Sequence, residues 1–173
     1  MKPVRIKEEF SASRIARRVT RLAKEIRKDA GRKPVFIIGI LKGTAVFLSD
    51  LLRRIEGDVA YGFIDEIRDM SDTQIAQALE IDFLSHFEIS GRQVYLLKDV
   101  VSTGVIESYL LGQLRQHNPA DLKLVALLDR PALRTIDLKV DYTAFEVDDG
   151  VFVGYGLELD GVHGNLPFIA RLR

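Results

Sequence analysis

Charged and hydroxyl-bearing side chains follow an apolar run in residues 96–105, LLKDVVSTGV, where a predicted strand gives way to a predicted helix. Lys98 and Asp99 end the run, and the sequence Ser-Thr-Gly at 102–104 follows two valines. Backbone amides at the start of a helix bind anions such as phosphate. General acid–base chemistry needs a carboxylate or an imidazole within reach, and Asp99 is the single such group in this run. The pattern predicts an anion site with part of the equipment for proton transfer.

A second strand-to-helix turn lies earlier in the chain. Residues 34–40, PVFIIGI, form a continuous apolar run that is typical of a strand buried on both faces. Leu41, Lys42 and Gly43 then turn the chain into a predicted helix over residues 44–55. Ligands of parallel sheets bind outside the carboxyl ends of the strands. Both turns are therefore predicted to lie at such strand ends.

The rest of the chain alternates between predicted helices and strands. Residues 11–30 carry an apolar residue every three or four positions, which indicates a helix, and Gly31 follows as a stop signal. Further strands are predicted in DVAYGFIDEI, GRQVYLLKD, LKLVALLD, DYTAFEV and VFVGYG, and a helix in VIESYLLGQLRQHN. Residues 66–80 are predicted to form either a short helix or a mobile arm, with a strand at LEIDF. This alternation predicts an α/β fold with a mainly parallel central sheet.

Length and composition limit the class of protein. A chain of 173 residues is long enough for one full core, and we predict a single domain over residues 1–173. Lys plus Arg and Asp plus Glu both number 25, so the formal charge is zero and no overall field attracts nucleic acid or an anionic membrane. The sequence has no cysteine and no apolar run of membrane-spanning length. These features predict a cytoplasmic protein without thiol chemistry.

Six segments, in order, resemble the type I phosphoribosyltransferases, and within them the hypoxanthine-guanine branch. They are GILKGTAVFLSDLLRRI, GRQVYLLKDVVSTG, LKLVALLDRP, DYTAFEV, VFVGYGLELD and NLPFIARL. The resemblance implies a mainly parallel central sheet flanked by helices, with a small hood subdomain. It also implies binding of phosphoribosyl pyrophosphate and purine nucleotides, transfer of the phosphoribosyl group to a purine base with Mg²⁺, and assembly into homodimers or homotetramers.

The resemblance implies that the first turn binds pyrophosphate through Leu41, Lys42 and Gly43. In the family, the peptide bond between the first two of these residues is typically cis. A plain strand–helix turn that needs Gly43 for space is the other interpretation of the same three residues.

The second turn matches the family's ribose-phosphate loop, with changes. Two adjacent acids usually hold the ribose hydroxyls; Lys98 takes the place of the first, and Asp99 is the second and also a candidate ligand of magnesium. Ser102 stands where an aspartate handles the proton of the base, and a hydroxyl cannot replace a carboxylate near neutral pH. The predicted phosphate cradle is completed by Thr103, Gly104, Val105 and Ile106, the last in place of a threonine.

The base pocket and metal site implied by the resemblance are altered as well. Arg130 stands in place of a lysine that contacts the purine. Val151 stands in place of an aromatic residue that stacks on the base, and Phe152 beside it should face the other way. Glu158 replaces the aspartate associated with magnesium, and Gly164 replaces an arginine that meets pyrophosphate.

These replacements leave three interpretations. The first is a hypoxanthine-guanine phosphoribosyltransferase-like protein that is catalytically impaired or inactive, a pseudoenzyme. It keeps a phosphate or nucleotide site and acts as a nucleotide-responsive or partner-binding protein. The absence of the family's Ser-Tyr lid motif from the region of residues 66–80 supports this view. The second interpretation is an active purine phosphoribosyltransferase with altered chemistry.

In the second interpretation, another acid replaces the missing aspartate. The candidates are Glu107, Asp99 and the acidic run of Glu146, Asp148 and Asp149. The third interpretation is a nucleic-acid-binding regulator that uses the basic helix face between Arg14 and Lys28. Zero net charge argues against nucleic acid as a partner.

Overall fold

The computed structural model of the chain describes residues 6–65 and 88–172. The predicted arm or lid at residues 66–80 and the predicted strand LEIDF lie outside the described residues.

The described residues form eight strands, three α-helices and one short 3₁₀ helix. In chain order they are β1 (Ile6–Phe10), α1 (Ala12–Ala30), β2 (Val35–Leu41), α2 (Thr44–Leu52), β3 (Val59–Asp65), β4 (Gln93–Val101), α3 (Val105–Arg115), β5 (Asp121–Asp129), the 3₁₀ helix (Pro131–Leu133), β6 (Tyr142–Glu146), β7 (Phe152–Val153) and β8 (Ile169–Leu172).

Five of these strands form one parallel sheet in the order β3-β2-β4-β5-β6. In the register of the sheet, Gly39 of β2 pairs with Leu97 of β4, and Val101 of β4 pairs with Asp129 of β5. The carboxyl ends of β2, β4 and β5 therefore meet at one edge. The predicted α/β fold with a mainly parallel central sheet is confirmed, and so is the placement of both turns at this edge.

The two faces of the central sheet are covered by different helices. One cluster of buried residues joins Tyr95 and Leu97 of β4 to α1 and α2. A second cluster joins Val94 and Leu96 of β4 to α3. Because successive side chains of a strand point to opposite faces, this alternation continues at the end of β4. Lys98 therefore continues the set of side chains that faces α3, and Asp99 continues the set that faces α2.

A smaller antiparallel sheet of three strands, in the order β1-β8-β7, forms the hood over one end of the molecule. Strand β1, which pairs with β8, was not predicted from the sequence. The predicted strand in VFVGYG is longer than the observed one. Only Phe152 and Val153 are extended, because the chain turns at Gly154, Tyr155 and Gly156, each of which has a positive φ angle.

The helices begin where the sequence predicts but two of them end earlier. The Ser11 side chain caps α1 by accepting a hydrogen bond from the Arg14 amide at 3.3 Å, and Gly31 follows its last residue. Helix α2 ends at Leu52, although the predicted helix ran to residue 55. Helix α3 ends at Arg115, three residues before the end of the predicted segment. The predicted helices are thus confirmed apart from the last residues predicted for α2 and α3.

Candidate ligand site at the carboxyl edge of the sheet

The turn after β2 has no room for a side chain at Gly43. A Cβ atom on this residue would lie 1.9 Å from Oδ2 of Asp99, which reaches across from the end of β4. The peptide bond between Leu41 and Lys42 is cis, as the resemblance implies. The Ala45 amide donates to the Lys42 carbonyl at 3.0 Å and closes the turn. The turn therefore requires glycine at position 43 for lack of space, and the residue that fills this space is Asp99, itself a predicted site residue.

Asp99 has three contacts that hold its carboxylate in place. One is the close approach to Gly43; another is a hydrogen bond that Oδ1 accepts from the Val100 amide at 2.8 Å. The third is an ion pair in which Lys98 Nζ lies 3.4 Å from Asp99 Oδ1. Lys98 is only 8% exposed. The positive charge that replaces the family's first acid is therefore buried beside the remaining acid.

The loop after β4 is braced by the segment that follows β5. Arg134 donates from Nη1 to the Ser102 carbonyl at 2.8 Å, and its Nη2 pairs with the buried carboxylate of Asp129. The Thr135 amide donates to the Thr103 carbonyl at 3.1 Å. These bonds fix the backbone of the loop from outside. None of these bracing residues is predictable from a local motif, because Arg134 lies 32 positions from Ser102 in the sequence.

The outer surface of the same loop is apolar. Val105 and Ile106, the first two residues of α3, are exposed by 53% and 41%. The first amides of a helix have no partner within the helix and remain able to bind an anion. The Val105 amide makes only a long hydrogen bond of 3.5 Å to Thr103 Oγ1, and the side chains of Val105 and Ile106 contribute no hydrogen-bonding group.

The three candidate base contacts lie around the end of β5 and the start of β7. Arg130 donates from Nη2 to the Gly150 carbonyl, and its guanidinium lies 5.4 Å from the ring centre of Phe152. Val151 is 47% exposed, whereas Phe152 is 6% exposed. The prediction that these two neighbours face opposite ways is confirmed. The Phe152 side chain belongs to the buried core, and the assignment of this residue as a base contact stays a prediction.

Glu158 lies on the hood turn that closes over the first turn of the site. Its side chain packs on Gly164, where a Cβ atom would lie 2.8 Å from Glu158 Cγ. Among the described residues there is no cluster of three acidic or histidine side chains that could hold a metal by itself. Magnesium is commonly held by one or two carboxylates together with substrate phosphates. Glu158 and Asp99 fit such shared binding, although Asp99 already has Lys98 beside it.

The comparisons with known proteins agree with this geometry. Residues 8–160 match the family model described as the phosphoribosyl transferase domain. The hypoxanthine-guanine phosphoribosyltransferase of Bacillus subtilis is 31% identical over 164 residues, which cover 95% of this chain and 91% of that protein. The chain belongs to the type I phosphoribosyltransferase family, in its hypoxanthine-guanine branch.

Other relatives extend this result. The Bifunctional protein TilS/HprT of Listeria monocytogenes is 30% identical over 165 residues, and this chain spans about a quarter of its length. The crystal structure of a hypoxanthine-guanine phosphoribosyltransferase from Bacillus anthracis superposes with a TM-score of 0.86 at 29% identity, covering 98% of this chain and 99% of that one. The hypoxanthine phosphoribosyltransferase of Trypanosoma cruzi in complex with the product IMP gives 0.81 at 29% identity, over 96% and 90%.

The acids that could replace the missing proton-handling aspartate lie in different parts of the structure. Glu107 is buried on the inner face of α3 with the leucines of that helix. Glu146 and Asp148 line a cavity of about 350 Å³ together with Arg14 and Arg171. Asp99 is the one candidate acid that the fold brings to the turn after β2.

The basic face of α1 is partly occupied by structural contacts. Arg18 donates to the Thr143 carbonyl at 2.7 Å and pairs with Glu25 at 3.3 Å. Arg27 donates to the Lys33 carbonyl at 2.7 Å. These contacts tie the helix to the rest of the fold. The exposed cations that remain on this helix, apart from Arg14 beside the hood, are Arg17, Arg21, Lys24 and Lys28. The described helices include none long and apolar enough to cross a membrane.

Proposed function

We propose that this protein binds phosphoribosyl pyrophosphate or a purine nucleotide at the carboxyl edge of its sheet but transfers the phosphoribosyl group poorly or not at all. The observation that carries the proposal is the pair of replacements at the end of β4. Ser102 stands at the position of the proton-handling aspartate, and Lys98 is buried 3.4 Å from the carboxylate of Asp99.

Retention of binding is supported by the parts of the site that rely on the backbone. The turn at Gly43 keeps the close packing on Asp99, and the loop from Ser102 to Ile106 leads into the N-terminus of α3, where the Val105 amide has only a long hydrogen bond of 3.5 Å to Thr103 Oγ1. Arg134 holds that loop in place through the Ser102 carbonyl. An anion bound there would need no particular side chain, because helix N-termini favour negative charge by themselves.

Loss of turnover is supported by the chemistry of the missing groups. A positioned general acid or base typically contributes about 10² to 10⁴ in rate. A serine hydroxyl does not ionise near neutral pH, so Ser102 cannot take up the proton of a purine ring nitrogen. Lys98 offers donors only and cannot accept a hydrogen bond from a ribose hydroxyl. Arg130, whose guanidinium is bonded to Gly150, is restricted in how it can meet a base.

Magnesium has a defined place in this proposal. The ion would be shared between phosphate oxygens of the ligand and the carboxylate of Glu158, with Asp99 as the second candidate. It would supply positive charge to neutralise a pyrophosphate group. Lys98 contributes part of that charge permanently, so we expect ligand binding to depend on magnesium less than in enzymes with two acids at this position.

The biological role that follows is that of a nucleotide-responsive protein. A phosphoribosyltransferase fold that binds nucleotide without consuming it reports the nucleotide concentration to a partner, which is either a second copy of this chain or another protein. The homodimer or homotetramer implied by the family is part of the same proposal.

The competing proposal is an active purine phosphoribosyltransferase. It is favoured by relatives that are named hypoxanthine-guanine phosphoribosyltransferases and by the retained turn at Gly43. In that case Asp99 would have to act as the base, since it is the one candidate acid at the turn after β2.

The test is a calorimetric titration with phosphoribosyl pyrophosphate, IMP and GMP, with and without Mg²⁺, together with a turnover assay on hypoxanthine and guanine. We expect binding without turnover in the natural sequence. The double substitution Lys98→Glu with Ser102→Asp restores both acids and should raise turnover at least about 100-fold. Ser90→Asp, which adds one carboxylate at the opposite edge of the sheet, is the control and should change nothing.

Efficient turnover by the natural sequence, abolished by Asp99→Asn, would contradict the proposal and establish the active enzyme. If none of the three ligands binds, nucleotide binding is ruled out and a role in binding a protein partner is the interpretation that remains.

A further inference from the structure

A hydrogen bond between two distant residues joins the hood to the helix that carries the first turn of the site. Tyr155 donates its hydroxyl to Asp50 Oδ2 at 2.7 Å. Tyr155 lies on the hood turn after β7, and Asp50 lies on α2, which begins at the turn of Gly43. The two residues are 105 positions apart. The bond therefore spans the two parts of the molecule that border the proposed pyrophosphate site.

The residue after Tyr155 rests directly on the first turn. A Cβ atom on Gly156 would lie 2.5 Å from the carbonyl oxygen of Gly43 and 3.5 Å from Cβ of Val46. The hood turn is itself rigid, because the Gly156 amide donates to the Gly164 carbonyl at 2.9 Å. A shift of the hood would therefore move Gly156 against Gly43 and change the shape of the turn.

Asp50 is held as a charged acceptor by its neighbours. Burial would raise the pKa of Asp50, but hydrogen bonds from Tyr155 and Arg53 and the charge of Arg54 outweigh it and lower the pKa. Arg54 Nη1 lies 3.3 Å from Asp50 Oδ1. Asp50 thus keeps charged partners even when the tyrosine hydroxyl is removed. The tyrosine bond can be broken without leaving a buried charge unpaired.

We infer that Tyr155 is a positioning residue, which acts through Asp50 to hold the hood turn on Gly43 and so sets the geometry of the pyrophosphate subsite. The proposed function supplies the ligand for this inference, while the contact between hood and turn exists without a ligand. Glu158 lies three residues after Tyr155 on the same turn. Its distance from the pyrophosphate subsite therefore depends on the same hydrogen bond.

The molecule contains a matched control for this bond. Tyr95 is also buried and also donates its hydroxyl to an aspartate, Asp29 Oδ2, at 2.8 Å. Asp29 also keeps a cation partner, Lys123, when the hydroxyl is lost. This second pair lies near the amino end of β4, away from both turns. Tyr155→Phe and Tyr95→Phe therefore remove equivalent bonds at the two ends of the sheet.

The experiment measures binding of inorganic pyrophosphate and of GMP, both with Mg²⁺, to the natural protein and to each variant. Tyr155→Phe should weaken pyrophosphate binding about tenfold, the size of effect expected from one buried hydrogen bond. GMP binding, which uses the loop after β4 for its phosphate, should change less than about twofold. Tyr95→Phe should leave both affinities unchanged. Asp50→Ala removes the acceptor and should also weaken pyrophosphate binding. Asp50→Asn keeps an acceptor for the Tyr155 hydroxyl and should therefore retain most of the affinity of the natural protein.

Amide hydrogen exchange supplies a readout that needs no ligand. Tyr155→Phe should accelerate exchange at the amides of Ala45 and Gly156, and Tyr95→Phe should not. If neither pyrophosphate nor GMP binds the natural protein, the proposed function fails and these exchange rates alone decide the inference. Unchanged exchange at both amides overturns it. So does an equal loss of pyrophosphate affinity in the two phenylalanine variants.

Discussion

The turns after β2 and after β4 lie side by side in the sheet but differ in how much of the family's chemistry they keep. The first retains Leu41, Lys42 and Gly43. The second has exchanged the acids expected at Lys98 and Ser102 and the threonine expected at Ile106. Both turns start from buried strands in direct register. The difference therefore does not come from the quality of the scaffold around them.

The cause lies in which atoms each turn uses. The first turn works through its backbone, and its shape is required by packing, since Gly43 is enclosed by Asp99 on one side and Gly156 on the other. The second turn offers backbone amides for phosphate, but catalysis would also need particular side chains at positions such as Ser102 and Ile106, and the fold does not need the identity of those side chains. Packing thus preserves the first turn whether or not the protein is an enzyme, and only selection for catalysis would preserve the second.

The strongest test of this difference is the substitution Gly43→Ala. The added methyl group would lie 1.9 Å from Asp99 Oδ2, so either the turn or the end of β4 must move. We expect a loss of about 1–3 kcal/mol in the free energy of unfolding and no measurable binding of pyrophosphate. Urea denaturation and calorimetry measure the two effects.

Gly112→Ala is the control for that substitution. Gly112 lies inside α3, and a methyl group added there would meet no neighbouring atom within 4 Å, so alanine should raise the free energy of unfolding by about 0.5–1 kcal/mol. Pyrophosphate binding that survives Gly43→Ala would show that packing does not protect the first turn, and the comparison between the turns would fail.

The second test removes the brace of the loop after β4. Arg134→Met takes away the bond to the Ser102 carbonyl and leaves the buried Asp129 without its cation. We expect a loss of about 1–3 kcal/mol in the free energy of unfolding and about tenfold weaker GMP binding. Pyrophosphate binding at the first turn should be retained.

Arg115→Met, at the exposed end of α3, is the matched control and should have no effect on either ligand. Equal losses of GMP and pyrophosphate affinity in Arg134→Met would mean that the two turns are not independent.

These braces mark the limit of what the sequence predicts. The continuous apolar runs, alternating with helical segments, predicted the central sheet, and the residues at the strand ends predicted that both turns lie at one edge of it. The contacts of Arg134 with Ser102 and of Tyr155 with Asp50 join residues 32 and 105 positions apart. No local sequence pattern predicts such a contact, because the two partners lie in different segments and meet only once the sheet has formed.

The third test uses alkaline pH, because the hydroxyl that joins Tyr155 to Asp50 can lose its proton. Burial, followed by the hydrogen bond to Asp50 and its charge, raises the pKa of Tyr155 above the usual value. A raised pKa in the folded state contributes stability that is complete below the tyrosine's ordinary pKa of about 10 and is lost as pH rises above it. Burial and Asp29 raise the pKa of Tyr95 in the same way.

The free energy of unfolding, measured by urea denaturation between about pH 8 and pH 11, should therefore fall above about pH 10. Tyr155→Phe and Tyr95→Phe should each reduce the steepness of this fall. A fall of equal steepness in all three proteins would contradict the assignment of the two tyrosines.

The smallest expected effect comes from returning one side chain to the second turn. Ile106→Thr supplies a hydroxyl beside the first amides of α3, and GMP binding should strengthen about threefold, which is less than one full hydrogen bond provides. Because Ile106 is 41% exposed, the free energy of unfolding should change by less than about 0.5 kcal/mol. Val46→Thr is the matched control, since Val46 is equally exposed in the first turn of α2. A gain confined to Ile106→Thr would show that the second turn accepts its lost chemistry without cost to the fold, whereas a gain in both variants would mean that a hydroxyl at the start of either helix has the same effect.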